Sequence, residues 1–550
     1  MLNNSIRLSS IDSLHASGTF FETEACLPKT RVELRMIKAS AAIRMEPKWA
    51  EHLNDESKCQ EWETHVKNTF NLTDDEVRYI FEELKYYALL KENGVNGEEP
   101  AAIDKAWLCD SASDSVLAKE LKLNARALEG KAMTTSSAEG QVLVDPFLYP
   151  FLAKDSCLLS KPLESPEAAL DSCLPRVKPG PTASWPQAIT SYNEAQGDIS
   201  GAFDKRPVAN LLRLYGGSKE SDSYACWLPT DFYVNDDGTV TIRSYINNLH
   251  PSHYVELYKT IAKVFAQFVP LLEQVTTDVT NPRGLRAVFD EKECYKLGEY
   301  TVKEFLSKGS RGELPKEYDE ILADITIPHT MEYSEDSDTM DKIYLDEYEL
   351  FSNWKSALEY IEPAPQVFFE LRRSLAPRSF ARFPLQASVE IFNFNLTPDN
   401  PKSFEGEWQA VGRAHERIFA VGLYFFSVEN IANASLMLRE PLQAISFYCE
   451  RDVESFYLSH DVASDGKDAS SYSQVIGGVE IKDGRYICYP NYYQTKMPSF
   501  ELADPTKAGH VKCIAFYIVD PTVKVISTEM VPPQQPHWVR GKVKSRDATS

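Results

Sequence analysis

The stretch GEWQAVGRAHERI, residues 406–418, sets a histidine, a glutamate and an arginine side by side as His415, Glu416 and Arg417. Imidazole titrates near neutrality, so His415 is suited to act as a general base or as a metal ligand. If the stretch is a strand, Gln409, Val411, Arg413 and His415 share one face and Glu416 turns to the other. The competing reading is a histidine hydrogen-bonded at a strand end, with Glu416 and Arg417 paired to brace it. Lys496 follows Thr495. Pointing inward, its ammonium would hold a carboxylate or act as an acid of lowered pKa; pointing outward, it is a solvated surface lysine. His510 and Lys512 flank Val511 and would suit an anionic group. Asn393 and Tyr424 sit in apolar runs, where each either faces a cavity or fills a core.

Several chemistries have no support. The chain has no Gly-rich phosphate loop, no Gly-x-Ser-x-Gly elbow and no His-Glu-x-x-His helix. None of its 10 histidines has an Asp or Glu two residues on, the spacing that aims two strand side chains at one ion. The 10 cysteines include no Cys-x-x-Cys pair, which argues against a zinc ribbon or a disulfide framework. A net charge of −23 opposes non-specific nucleic-acid binding, which needs a basic face. No run approaches a membrane span and no signal-peptide pattern opens the chain, so a cytoplasmic protein is expected.

The elements that would position these residues change along the chain. Val32, Met36, Ala39 and Ile43 have helical spacing. TDDEVRYIFEELKYYALLKENG predicts a helix with a Thr73/Glu76 capping box and Gly94 past its end. Residues 1–154 therefore read as mainly helical, behind a loose start, and 155–220 as a Pro/Ser-rich connection. FYVNDDGTVTIRSYINN carries a hairpin signal around Asp236, Asp237 and Gly238. The next segment predicts a long helix starting at Pro251 and kinked at Pro270, and MDKIYLDEYELFSNWKSALEYI predicts another. ASVEIFNFNL, RIFAVGLYFFSV, GRYICYP and CIAFYIVD are short β-rich runs whose spacing suits a sandwich or jelly roll. The fold class expected is α+β, with a double-stranded β-helix in 221–540 and a flexible tail at 541–550.

The segments WLPTDFYVNDDGTVTIRSYINNLHPSHYVELY, GLYFFSVENI, FELADPTKAGHVKCIAFYIVDP and STEMVPPQQPHW resemble a fungal family of uncharacterised proteins. The C-terminal half of that family looks like the iron and 2-oxoglutarate dependent oxygenases. The resemblance is dense over 227–278 and 385–538 and fainter before. It implies a ferrous triad of two histidines and a glutamate, at positions that here hold Gln409, Val411 and Thr495. The family's basic residue for the 2-oxoglutarate carboxylate falls on Val511, while His510 and Lys512 keep the pattern around it. Lys496 stands where the family has a basic residue, and Asn393 where it has Asn.

An amide, an isopropyl group and a hydroxyl are weak substitutes for two imidazoles and a carboxylate. The expectation is therefore a small-molecule enzyme of specialised metabolism with no cofactor and no metal. Its chemistry would be isomerisation, cyclisation or elimination, with His415, Glu416, Lys496 or His510 as acid, base or anchor. Two alternatives stand beside it. One is an iron and 2-oxoglutarate enzyme with relocated ligands such as His415 and His510; the other is a non-catalytic ligand-binding protein. The partner expected is a small-molecule substrate, with neither nucleic acid nor membrane, and the oligomeric state is left open.

Overall fold

Thr30 opens the first helix, α1 (Arg31–Arg44), by accepting the Glu33 N–H at 3.2 Å, which satisfies one free donor of the first turn. Val32, Met36, Ala39 and Ile43 are all buried, so the spacing read from the sequence is its core stripe. Asp55 caps α2 (Glu56–Phe70), and the expected Thr73/Glu76 capping box opens α3 (Asp74–Glu92). Then come α4 (Val116–Glu129) and α5 (Val255–Thr280). Helix α5 begins at Val255 rather than at Pro251, which lies in the preceding turn, and it runs through Pro270.

The computed structural model describes residues 28–172 apart from 95–96, 111–114, 130–139, 147, 153–155, 157 and 160; 225–289 apart from 283; 295–297; 300–301; 359–366; 377–442 apart from 413–415; 459–535 apart from 462 and 465–471; and 538. The helix expected over 340–361 falls outside these except at its end, where Glu359–Tyr360 is a strand paired with Tyr295–Leu297. The connection expected over 155–220 is described only as far as the short helix Ala168–Ser172. Among the described residues no helix is long and apolar enough to cross a membrane.

The strands that matter for the site are β1 (Glu99–Pro100), β2 (Trp107–Asp110), β3 (Gln141–Val144), β4 (Thr230–Val234), β5 (Val240–Ile242), β6 (Phe383–Leu396), β7 (Ile418–Glu429), β8 (Ser435–Pro441), β9 (Ala463–Ser464), β10 (Tyr472–Glu480), β11 (Arg485–Pro490), β12 (Gln494–Lys496) and β13 (Gly509–Val519). The expected hairpin is β4 and β5, closed by Gly238 at φ +80°. A nine-stranded antiparallel sheet runs β1-β2-β11-β7-β13-β6-β4-β5, with β3 also on β6. A second sheet of four strands runs β9-β10-β8-β12, and a bridge from Gln409 to Thr495 extends it beyond β12. The chain is thus a mixed α/β protein built on a large antiparallel sheet.

Both faces of that sheet are buried, by different partners. On one face Ile391, Tyr424, Tyr486, Ile514 and Phe516 meet the helices, with the α5 rings of Phe265 and Phe268 5.0 and 5.3 Å from the Phe516 ring. Gly422 permits this approach, since a Cβ there would sit 2.8 Å from the Phe268 ring. Burying one such phenylalanine contributes about 2–3 kcal/mol. On the other face Val421, Leu423, Ile487, Tyr489, Val511 and Ala515 pack against Leu436, Leu438, Ile476 and Val479 of the smaller sheet. We call this second face the inner face and the helix-covered one the outer.

Candidate functional site

Gln409 and Thr495 lie directly opposite one another, each N–H donating to the other's carbonyl, at 3.0 and 2.9 Å. Directly paired residues present their side chains on one face. Val411 packs against the inner-face core, and its carbonyl accepts the Asn491 amide at 2.7 Å. The Thr495 side chain is buried and hydrogen-bonded to the Tyr489 phenol. The three positions singled out by the sequence do come together.

The rest of that stretch departs from expectation. Residues 406–418 do not form one strand: beyond the bridge at Gln409, Gly412 turns the chain at φ +74° and Arg417 sits at φ +56°. A side chain at position 412 would place its Cβ 2.5 Å from Ile418 Cδ1 and 3.0 Å from Glu416 Oε2. The alternation that grouped positions 409 to 415 therefore stops at the turn. Arg413 and His415 lie outside the described residues. Glu416 is buried, and its Oε1 accepts the Trp227 backbone N–H at 3.0 Å, which pins the turn to the segment entering β4.

Five other candidates sit elsewhere. Lys496 is not an inward-pointing acid, because it alternates away from Thr495 and its ammonium pairs with the exposed Glu405. His510, Lys512 and Asn393 are on the outer face, since Val511 between the first two takes the inner one. There His510 Nε2 meets Ser427 Oγ at 2.8 Å, and Lys512 binds Glu129 of α4 at 2.6 Å. Burial, and then Lys512, hold the His510 pKa below its usual value. Tyr424 is also on the outer face, stacked on Tyr486 at 3.8 Å. Among the described residues, the predicted site residues are thus divided by the sheet and do not form one pocket.

The inner face carries a titratable pair that the sequence reading missed. Glu390 of β6 lies opposite Ala515, one diagonal step from Tyr517, and the Tyr517 phenol donates to Glu390 Oε2. Burial raises the Glu390 carboxyl from 4.5 to about 7, the Tyr517 hydrogen bond opposes this, and Asp145 adds to it. Burial, followed by Glu390, pushes Tyr517 well above the usual phenol range. Cys513 and Tyr489 are electrostatic neighbours of Tyr517, and the Trp227 ring lies 5.2 Å from it. The signal was a lone carboxylate in ASVEIFNFNL, at the same parity as Phe392 and Phe394 of the inner face. Glu390 is partly exposed while Tyr517 is buried, and in the Gln409 segment beside the smaller sheet Gln409 is exposed and Val411 partly so.

The family described as protein of unknown function (DUF4246) matches residues 74–542. The chain belongs to it. No curated protein matches. Two solved structures show a slight likeness to this DUF4246 chain. "Selenomethionine labeled Fe(II)/(alpha)ketoglutarate-dependent dioxygenase TqaL" is 8% identical with a TM-score of 0.17, over 37% of this chain and 63% of that one. "Crystal structure of IDO from Bacillus thuringiensis" is 6% identical with a TM-score of 0.16, over 33% and 55%. The chain therefore spans less than two thirds of either structure, and likeness at that level says nothing about fold or chemistry.

The DUF4246 chain is a poor host for ferrous iron at the positions the sequence singled out. Gln409 and Thr495 offer neutral oxygens and Val411 none, and Val511, where the sequence resemblance implies a basic residue, is apolar and buried. Among the described residues no three His, Cys, Asp or Glu side chains are grouped to hold a metal. A groove of about 770 Å³ lined by Leu163, Arg243, Tyr258 and Glu529 includes none of the inner-face residues.

Proposed function

We propose that this DUF4246 chain is a double-stranded β-helix protein that holds a small organic molecule between its sheets. Its chemistry there is proton transfer without iron: an isomerisation, cyclisation or elimination. The strand order supports the fold reading. Taken along the chain, β6, the Gln409 segment, β7, β8, β10, β11, β12 and β13 assemble as β6-β13-β7-β11 in one sheet and Gln409-β12-β8-β10 in the other. Facing sheets with this alternation make a jelly roll.

One observation carries the functional reading: the Gln409–Thr495 pair and Val411 offer no strong metal donor, while the inner face of the large sheet carries a titratable carboxyl, Glu390. Glu390, poised near neutrality, is the group suited to take or return a proton. The relocated-iron alternative loses one of its ligands, because His510 lies behind the sheet, hydrogen-bonded to Ser427.

The test is anaerobic titration of purified protein with Fe(II), followed by calorimetry and metal analysis after desalting. The expected result is no stoichiometric iron in the wild type, and retained iron once Gln409→His, Val411→Glu and Thr495→His are combined. One equivalent of iron in the wild type that Thr495→Val abolishes would overturn the reading.

A further inference from the structure

We infer that Tyr517 and Glu390 form a hydrogen-bond donor pair for an enolic or phenolic oxygen, so that the inner face takes small planar conjugated molecules bearing one. This rests on the inter-sheet site proposed above and names its ligand class.

The geometry fixes a direction for the hydrogen bonds. When Glu390 is ionised, it accepts the Tyr517 hydrogen, as the structure has it, and the pair has nothing left to offer. A protonated Glu390 can donate to the Tyr517 oxygen instead, which releases the phenol hydrogen to a ligand. A carboxyl kept neutral near pH 7 by an apolar site is an effective donor to a developing oxyanion. Among the described residues, few charges act on Glu390. The groups facing Glu390 are Tyr517 and Cys513 from β13 and Asp145 just past β3, and Tyr489 of β11 faces Tyr517. Asp145 keeps the proton on Glu390 and so favours the donating state.

The surroundings favour a flat, conjugated ligand. The Trp227 ring stands 5.2 Å from the Tyr517 ring at 58°, and Phe392 and Phe394, both partly exposed, continue the wall along β6. Aromatic faces of this kind hold planar rings by offset or edge contact. These side chains supply one donor hydrogen and no cation, which suits a single enolic or phenolic oxygen better than the several charged oxygens of a carboxylate or phosphate. An enol or phenol needs only a donor for its oxygen.

The probe is 3,4-dinitrophenol, which stays ionised from mildly acid to alkaline pH, with 3,4-dinitrotoluene as the analogue lacking the oxygen. Binding is followed by absorbance and calorimetry on the full chain. Affinity for the phenolate is expected to fall roughly tenfold between about pH 6 and pH 8 as Glu390 loses its proton. Tyr517→Phe should weaken binding by roughly 10- to 100-fold at the lower pH, since it removes a hydrogen bond to a charged oxygen. Glu390→Gln should abolish the pH dependence, because its amide does not titrate over this range. Binding that is flat with pH in the wild type, unchanged in Tyr517→Phe, or equal for the toluene analogue overturns the assignment, as does no phenolate binding. The iron titration reads a different property, so either idea can fail while the other stands.

Discussion

Glu390→Gln should make the protein more stable, and more so at higher pH. The folded-state pKa of Glu390 is about 7, against 4.5 for the free side chain. Between those values the native chain binds more protons than the unfolded chain, so raising the pH through this window costs stability. A shift of about 2.5 units corresponds to roughly 3 kcal/mol once both states are ionised, and partial solvent contact trims the figure toward 2. Glutamine keeps the shape, still accepts from Tyr517, and carries no charge to desolvate. Urea unfolding of the wild type and the variant at about pH 5 and pH 8 measures the difference. The advantage of the variant should grow by about 2 kcal/mol between the two. An advantage constant across pH would refute the assignment of a raised pKa, and a variant less stable at pH 8 would show that Glu390 does not sit as a buried acid.

Two substitutions away from the pair test the frame around it. Arg286→Met should cost about 3–5 kcal/mol in urea unfolding, because buried Glu33, Glu83 and Asp104 then face one another without their shared cation. Gly412→Ala should cost about 1–3 kcal/mol by the same measurement, since alanine is strained at φ +74° and its Cβ collides with Ile418.

What the sequence made legible was local. The capping box of α3 and the stripe of α1 are set by side chains within a turn of one another, and four β-rich runs became β6, β7, β11 and β13. The site was less legible, for two reasons. Strand β7 is buried on both faces from Ile418 to Ser427, so an apolar run cannot say which face meets helices and which meets the second sheet. That ambiguity is why Tyr424, Asn393, His510 and Lys512 were grouped with residues behind which they lie. The other reason is the turn at Gly412, which ends the alternation counted from Gln409. Glu390 was visible in principle, but the sequence does not show that a tyrosine one diagonal step away on β13 reaches its carboxylate.

The Arg286 cluster bears on the site as well as on the fold. Its guanidinium holds Asp104 at 2.8 Å, and the Asp104 carbonyl accepts the Tyr493 phenol at 2.9 Å. Tyr493 immediately precedes β12, which carries Thr495, and the neighbouring strand β8 is held at Glu440 by Lys29, just before α1. The helical half and the smaller sheet are therefore joined by charges that are buried at both ends. Removing Arg286 should release Asp104, and with it the hydroxyl bond that sets where β12 starts. The pairing of Gln409 with Thr495 depends on that register, since a slip of one residue would turn Lys496 inward and Thr495 out. In amide exchange of the Arg286→Met variant, the Gln409 and Thr495 amides should lose protection before those of β13, whose neighbours on both sides lie within the large sheet. Equal loss at both places would mean that the cluster supports the whole fold and has no particular hold on the wall of the site.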